Sequence, residues 1–261
     1  SGAVKLSSAN AGKAGTSGGV YISTGGATKG DSGVITVKTG ASDQGKGGSI
    51  QLTVGSSDLA NGGSIDLFSG STSAQGSHGG RINITAGHVK PLSRESGGTG
   101  GDVAISAGIS SGQSQKQNHG GALSLSGGSA IGGKGGDVSI KSGSSRQLMS
   151  GAVLVTTATT KDPNSASGDV VLSSGDSTRM KSGNVSVFSG KSVHGKVGGA
   201  FFGAGESTYE NGGDLTFQAG NTEHGRKGGD VTVSAGASTE SSSGNIYLSS
   251  THGGGIMDLT S

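Results

Sequence analysis

The chain predicts an all-β fold, a parallel β-solenoid of about sixteen short repeats, and three features of the sequence carry that expectation. The frame small-Gly-x-φ-x-φ-x-small-Gly, with φ an aliphatic or Phe residue, recurs along the chain: GGSIDLFSG from Gly62, GGDVSIKSG from Gly135, SGNVSVFSG from Ser182, GGDLTFQAG from Gly212 and GGDVTVSAG from Gly228. Strict alternation between glycine marks is the pattern of a short strand with one face covered, because strand side chains point to opposite sides in turn. Starts fall about fifteen to seventeen residues apart, too close for a repeat that could bury its own apolar face, so each must pack on neighbours.

Composition narrows the alternatives. Only 29% of the 261 residues are hydrophobic and 3% are aromatic, too little for an ordinary globular core. Glycine contributes 57 residues without a G-x-y period and proline only 2, which excludes collagen and polyproline. Glycine- and serine-rich chains of this kind are often disordered, and the regular φ-x-φ pairs are what argues for order here. A formal net charge of +2 with interspersed signs gives no electrostatic case for nucleic acid or for a membrane surface. No apolar run is long enough to insert into a bilayer, and no thiolate metal site or disulfide can form without cysteine. The repeat frame is already running at Ser1 and is running again from Gly254 to Ser261, so residues 1–261 read as a single array and as a segment of a longer one.

Taken in order, the inward pairs are Val4/Leu6, Val20/Ile22, Ile35/Val37, Ile50/Leu52, Ile65/Leu67, Ile82/Ile84, Val103/Ile105 and Leu123/Leu125. They continue as Val138/Ile140, Val153/Val155, Val170/Leu172, Val185/Val187, Leu215/Phe217, Val231/Val233 and Ile246/Leu248. The next inward position is small (Ser69, Ala86, Ala107, Ser142, Ser189, Ala219, Ala235), which suits a taper at the strand end. The connecting segments vary in length, and ladders do not tolerate such variation whereas loops do. Two repeats per coil is therefore the expectation, giving about eight coils and a length on the order of 40 Å. Pro91 and Pro163 fall in connecting segments, where no ladder donor is needed. At Gly198–Gly205 the frame is one residue short, which predicts a bulge.

Chemistry-bearing patterns are sparse. Asp102, Asp137, Asp169 and Asp230 recur after the small-Gly pair, but the calcium-roll order G-G-x-G-x-D-x-φ-x is not met, and Lys46, Lys134, Lys181 and Lys227 stand where they can screen the carboxylates. Five of the 6 histidines precede glycine (His78, His119, His194, His224, His252) without a spacing that would gather several nitrogens on one metal. No nucleophile elbow, P-loop or dinucleotide fingerprint is present. The expectation is no catalytic, cofactor-binding or metal residues, no cofactor, and no enzyme activity. Asn83-Ile-Thr85 and Asn184-Val-Ser186 are glycosylation sequons, so Asn83 and Asn184 are candidate glycan acceptors. The two longest connecting segments bring His88, Lys90, Arg94, Lys116 and His119 together in order, and such departures from minimal length often form a contact face.

The pattern resembles the glycine/serine-rich β-solenoid repeats of secreted and cell-surface proteins, over nearly the whole chain and through a motif that carries no catalytic residue. The resemblance implies a structural role: a rigid extracellular rod, filament, or surface appendage or adhesin segment, associating end to end or laterally with itself, with other structural proteins or with glycans. Small Ser/Thr-rich solenoids also include ice-binding proteins. The corresponding face would be Ser23, Thr53, Thr85, Ser126 and Thr156, interrupted by Phe188 and Gln218.

Overall fold

A computed structural model describes residues 2–90, 97–112, 118–162, 165–225 and 227–250. It overturns the predicted fold class. Among the described residues there is no helix and no β-strand, so neither a sheet nor a solenoid of one or two repeats per coil is formed. No residue among them is buried, and the accessible surface totals 26923 Å². A compact chain of 24.9 kDa would expose about 10,000 Å² and a fully unfolded one about 36,000 Å². The chain stands nearer the second value.

The physical reason lies in the same repeat that suggested a sheet. Each stretch of about fifteen residues supplies two aliphatic side chains and several glycines, and glycine loses the most conformational freedom on ordering. A ladder would have to offset that entropy with very little apolar surface. The predicted bulge at Gly198–Gly205 disappears with the ladder that would have contained it. Phe202 is 60% exposed there and the Phe201 ring lies back along its own segment toward Gly199.

What the sequence does specify is local and repeats faithfully. In two frames the alternation shows in contacts between side chains. Ser64 Oγ donates to Asp66 Oδ2 at 3.1 Å and Asn245 Nδ2 donates to Tyr247 Oη at 3.0 Å, both between residues two apart on the polar side. The aliphatic pair occupies the other side, as period-2 alternation requires.

Between frames the chain closes on itself. The second glycine of one repeat donates its N–H to the carbonyl of the glycine that ended the repeat before: Gly80 to Gly70 (2.8 Å), Gly101 to Gly87 (3.0 Å), Gly121 to Gly108 (2.9 Å) and Gly136 to Gly128 (2.8 Å). The same bond joins Gly151 to Gly143 (3.0 Å), Gly229 to Gly220 (2.9 Å) and Gly244 to Gly236 (2.9 Å). These pins close loops spanning from 8 positions (Gly128 to Gly136) to 14 (Gly87 to Gly101). Loop length can vary because closing a longer loop adds little entropy cost. The base of the loop is what stays constant.

Glycine is needed at that base for close approach. A Cβ on Gly80 would lie 3.0 Å from Gly70 N and 3.1 Å from Ser69 Cβ; on Gly213 it would lie 3.1 Å from Ala204 Cβ, and on Gly229 3.3 Å from Ala219 Cβ. The small residue after each aliphatic pair thus faces the second glycine of the following repeat. The same facing position holds Thr24, Thr39 and Val54 opposite Gly33, Gly48 and Gly63, so the contact fixes the glycine more strictly than the residue across from it. Ala86, Ala107, Ser142, Ser174 and Ala219 are half-buried, among the few described residues that are not fully exposed.

Hydroxyls shape the loop tips. Ser57 Oγ accepts from Ala60 N (3.2 Å), Ser145 from Leu148 (3.0 Å), Ser177 from Met180 (3.1 Å), Ser192 from Gly195 (2.9 Å), Ser207 from Glu210 (3.0 Å) and Thr222 from Gly225 (2.8 Å). A hydroxyl capping an amide three residues on is a side-chain mimic of a backbone turn. At Ala74–Ser77 the backbone makes the turn itself, with Ser77 N donating to Ala74 O at 3.2 Å and Gly76 at φ 74 supplying the left-handed position.

Contacts divide the chain into Ser1–Gly136 and Asp137–Ser261. The boundary cuts the GGDVSIKSG frame and follows no change in composition. The first unit holds the four pins from Gly80 to Gly136 and the two longest loops. The second holds the pins at Gly151, Gly229 and Gly244 and most of the hydroxyl-capped tips.

Candidate functional site

The aliphatic pairs are the feature with the largest unsatisfied chemistry. They were expected to line a dry seam; the structure leaves them open to solvent instead. From Val20 onward the first member of each pair is about half exposed, between Ile246 (48%) and Val231 (57%), and the second is more so, as in Ile22 (69%) and Val233 (69%); in the first pair Val4 is fully exposed. Aromatic side chains on the opposite side are nearly free: Tyr21 is 94% and Phe68 90% exposed.

The other predicted residues are distributed rather than gathered. Asn83 and Asn184 are exposed and lie on the polar side of their frames, as a glycan acceptor requires. His88 and Lys90 are exposed after the frame that ends at Gly87, and His119 is exposed just before the Gly121 pin, with Ser110 Oγ reaching Asn118 Oδ1 at 3.4 Å in the same loop. Arg94, Lys116, Pro91, Pro163, His252 and the final frame from Gly254 lie outside the described residues. Ser23, Thr53, Thr85, Ser126 and Thr156 are each exposed, but there is no sheet among the described residues on which they would share a flat face.

The acidic column behaves as a solvated surface. Lys227 Nζ bonds Asp230 Oδ2 at 2.8 Å across a three-residue spacing, with the side chains 75% and 67% exposed. In this repeat the lysine ahead of the small-Gly pair screens the carboxylate that follows it. An exposed pair of this kind contributes between zero and about 1 kcal/mol. Among the described residues, no three acidic or histidine side chains converge on a metal site and no cavity forms. No helix there is long and apolar enough to cross a membrane.

Sequence reasoning missed the loop base. Its signal is present: every pinned glycine follows a small residue or glycine, and each partner follows a Ser, Ala or Gly two positions beyond an aliphatic residue or, at Gly220, beyond Phe217. That spacing reads equally well as punctuation between strands. The hydroxyl caps are likewise spelled out by a Ser or Thr two positions after the frame-ending glycine, as in Gly190-Lys-Ser192, Gly205-Glu-Ser207 and Gly220-Asn-Thr222.

No family model, no curated protein and no solved structure matches this chain.

Proposed function

We propose that the chain is a non-enzymatic structural repeat of an extracellular or cell-surface assembly. One observation carries this reading: the same unit, an apolar pair alternating with polar residues, recurs from Val20 to Leu248 with nearly constant exposure, and among the described residues seven of the joints between units are pinned by the same glycine–glycine bond. A catalyst needs different residues converging on one place, whereas a material needs one local solution many times over. The exposed sequons at Asn83 and Asn184 fit a secreted setting. So does the glycine/serine-rich composition, which resembles that of secreted and surface repeats.

The test is immunogold labelling of the native source with antibodies against the purified chain. Label concentrated on filaments, wall or surface appendages supports the reading. Label confined to the soluble interior of the cell contradicts it.

A further inference from the structure

We infer that Asn61 and Asn211 are sites of spontaneous self-modification, each cyclising onto the backbone nitrogen of the glycine that follows it and opening to isoaspartate or aspartate. This chemistry is independent of the structural role proposed above.

Asn61 and Asn211 are the only asparagines in the chain followed by glycine. The reaction has three requirements, and both places meet them. The attacking nitrogen must be free: the N–H groups of Gly62 and Gly212 make no hydrogen bond among the described residues, unlike the pinned amides of Gly80 and Gly229. The asparagine side chain must be free to swing over its own backbone. Asn61 and Asn211 are exposed and unbonded among the described residues, whereas Asn118 Oδ1 is held by Ser110 Oγ at 3.4 Å and Asn245 Nδ2 by Tyr247 Oη at 3.0 Å. The following residue must leave room for the ring, and a Cβ on Gly62 or Gly212 would meet nothing within 4 Å. The two sites also share a setting. Ser57 Oγ caps Ala60 N at 3.2 Å and Ser207 Oγ caps Glu210 N at 3.0 Å, so each asparagine comes directly after a hydroxyl-capped turn and directly before a joint.

In the first step the glycine nitrogen gives its proton to solvent and attacks the asparagine Cγ. The Cγ–Nδ2 bond breaks and the side-chain nitrogen leaves as ammonia. Water then opens the resulting succinimide, so each event takes up one water and releases one ammonia. Opening at the former side-chain carbonyl gives aspartate; opening at the main-chain carbonyl gives isoaspartate, whose backbone runs through Cβ. Either product replaces a neutral amide by a carboxylate. With both sites converted the 17 acidic residues become 19, equal to the 19 Lys and Arg, and the formal charge falls from +2 to zero, which lowers solubility. In isoaspartate the extra backbone atom lies beside a close approach, since a Cβ on Gly63 would lie 2.8 Å from Val54 Cγ1 and one on Gly213 3.1 Å from Ala204 Cβ.

The experiment is timed incubation of the whole chain in warm, mildly alkaline buffer, beside synthetic peptides of residues 56–67 and 206–217. Proteolytic mapping by mass spectrometry, with isoaspartate and aspartate separated by retention, follows each asparagine. Asn61 and Asn211 should convert within about twofold of their peptides and at least about tenfold faster than Asn221 and Asn245, the latter difference being about 1.4 kcal/mol in the barrier. Conversion should slow in mildly acidic buffer, because the glycine nitrogen must lose its proton. Asn61→Gln should stop it at that site and leave Asn211 unchanged. Conversion about tenfold or more slower in the whole chain than in the peptides overturns the inference, as does equal conversion at Asn221 and Asn245.

Discussion

Replacing Gly80 with Ala tests the loop base at a single atom. Gly80 N donates to Gly70 O at 2.8 Å, and Gly80 O accepts from Ser69 Oγ at 3.0 Å. A methyl group at Gly80 would lie 3.0 Å from Gly70 N, 3.1 Å from Ser69 Cβ and 3.2 Å from Gly70 O. Two of those three are backbone atoms that cannot swing away, so the facing segment must retreat by a few tenths of an ångström and both hydrogen bonds weaken. At about 0.5–1.5 kcal/mol each, their combined loss is on the order of 1–2 kcal/mol. That corresponds to about 5- to 30-fold faster amide exchange at residue 80, measured by NMR on labelled protein. The control is next door. A methyl group on Gly79 meets only Gly70 O at 3.7 Å, an ordinary contact. Gly79→Ala removes freedom from the open chain without that clash, so protection at Gly80 should hold or rise, by up to about 1 kcal/mol. Equal effects from the two substitutions, or no change in Gly80→Ala, would refute the claim that close approach at the loop base dictates glycine.

Removing a hydroxyl cap should act just as locally. Ser207→Ala leaves Glu210 N without its acceptor and should speed that amide's exchange about 2- to 5-fold, with Gly225, capped by Thr222, unaffected. Inserting four Gly/Ser residues between Gln75 and Gly76 makes the Gly70–Gly80 loop as long as the Gly87–Gly101 loop; the cost should stay below about 0.5 kcal/mol and the Gly80 amide should keep its protection. A ladder would lose register on the same insertion, so a wholesale change of the spectrum would argue for one. Lys227→Ala should perturb the loop near Asp230 by less than about 1 kcal/mol, and its effect should vanish in about 1 M salt, where the Debye length is near 3 Å.

Much of the local structure is readable from residues alone. The alternation in GGSIDLFSG places Ile65 and Leu67 on one side and Ser64 and Asp66 on the other, and the Ser64–Asp66 hydrogen bond shows that this side assignment holds. The ends of the two longest connecting segments meet, through the bonds from Gly101 to Gly87 and from Gly121 to Gly108. The step from alternating segments to a stacked sheet is where the reading fails. Alternation specifies which side of a segment is apolar but says nothing of what will cover that side. A pair such as Val138 and Ile140 offers too little surface to compel neighbouring segments of the same chain into a ladder. The glycine pairs mislead for a related reason. As punctuation they suggest turns at strand ends, yet Gly80, Gly101 and Gly229 lie against Ser69, Ala86 and Ala219 across a loop. A contact between residues ten or so apart leaves no periodic trace distinct from the repeat itself. The exposed sites Asn83 and Asn184 were legible because a sequon is a local motif; a surface defined by uncovered aliphatic pairs becomes visible only once the absence of a sheet among the described residues is known.

The most direct test of the account is NMR on the dilute, uniformly labelled chain. It predicts extended local couplings through residues such as Ile65–Leu67 and Val138–Ile140, protection restricted to pinned amides such as Gly80 and Gly229, and no contacts between the aliphatic pairs of different repeats. Regular nuclear Overhauser contacts from one pair to the next, with protection spread along whole segments, would contradict it.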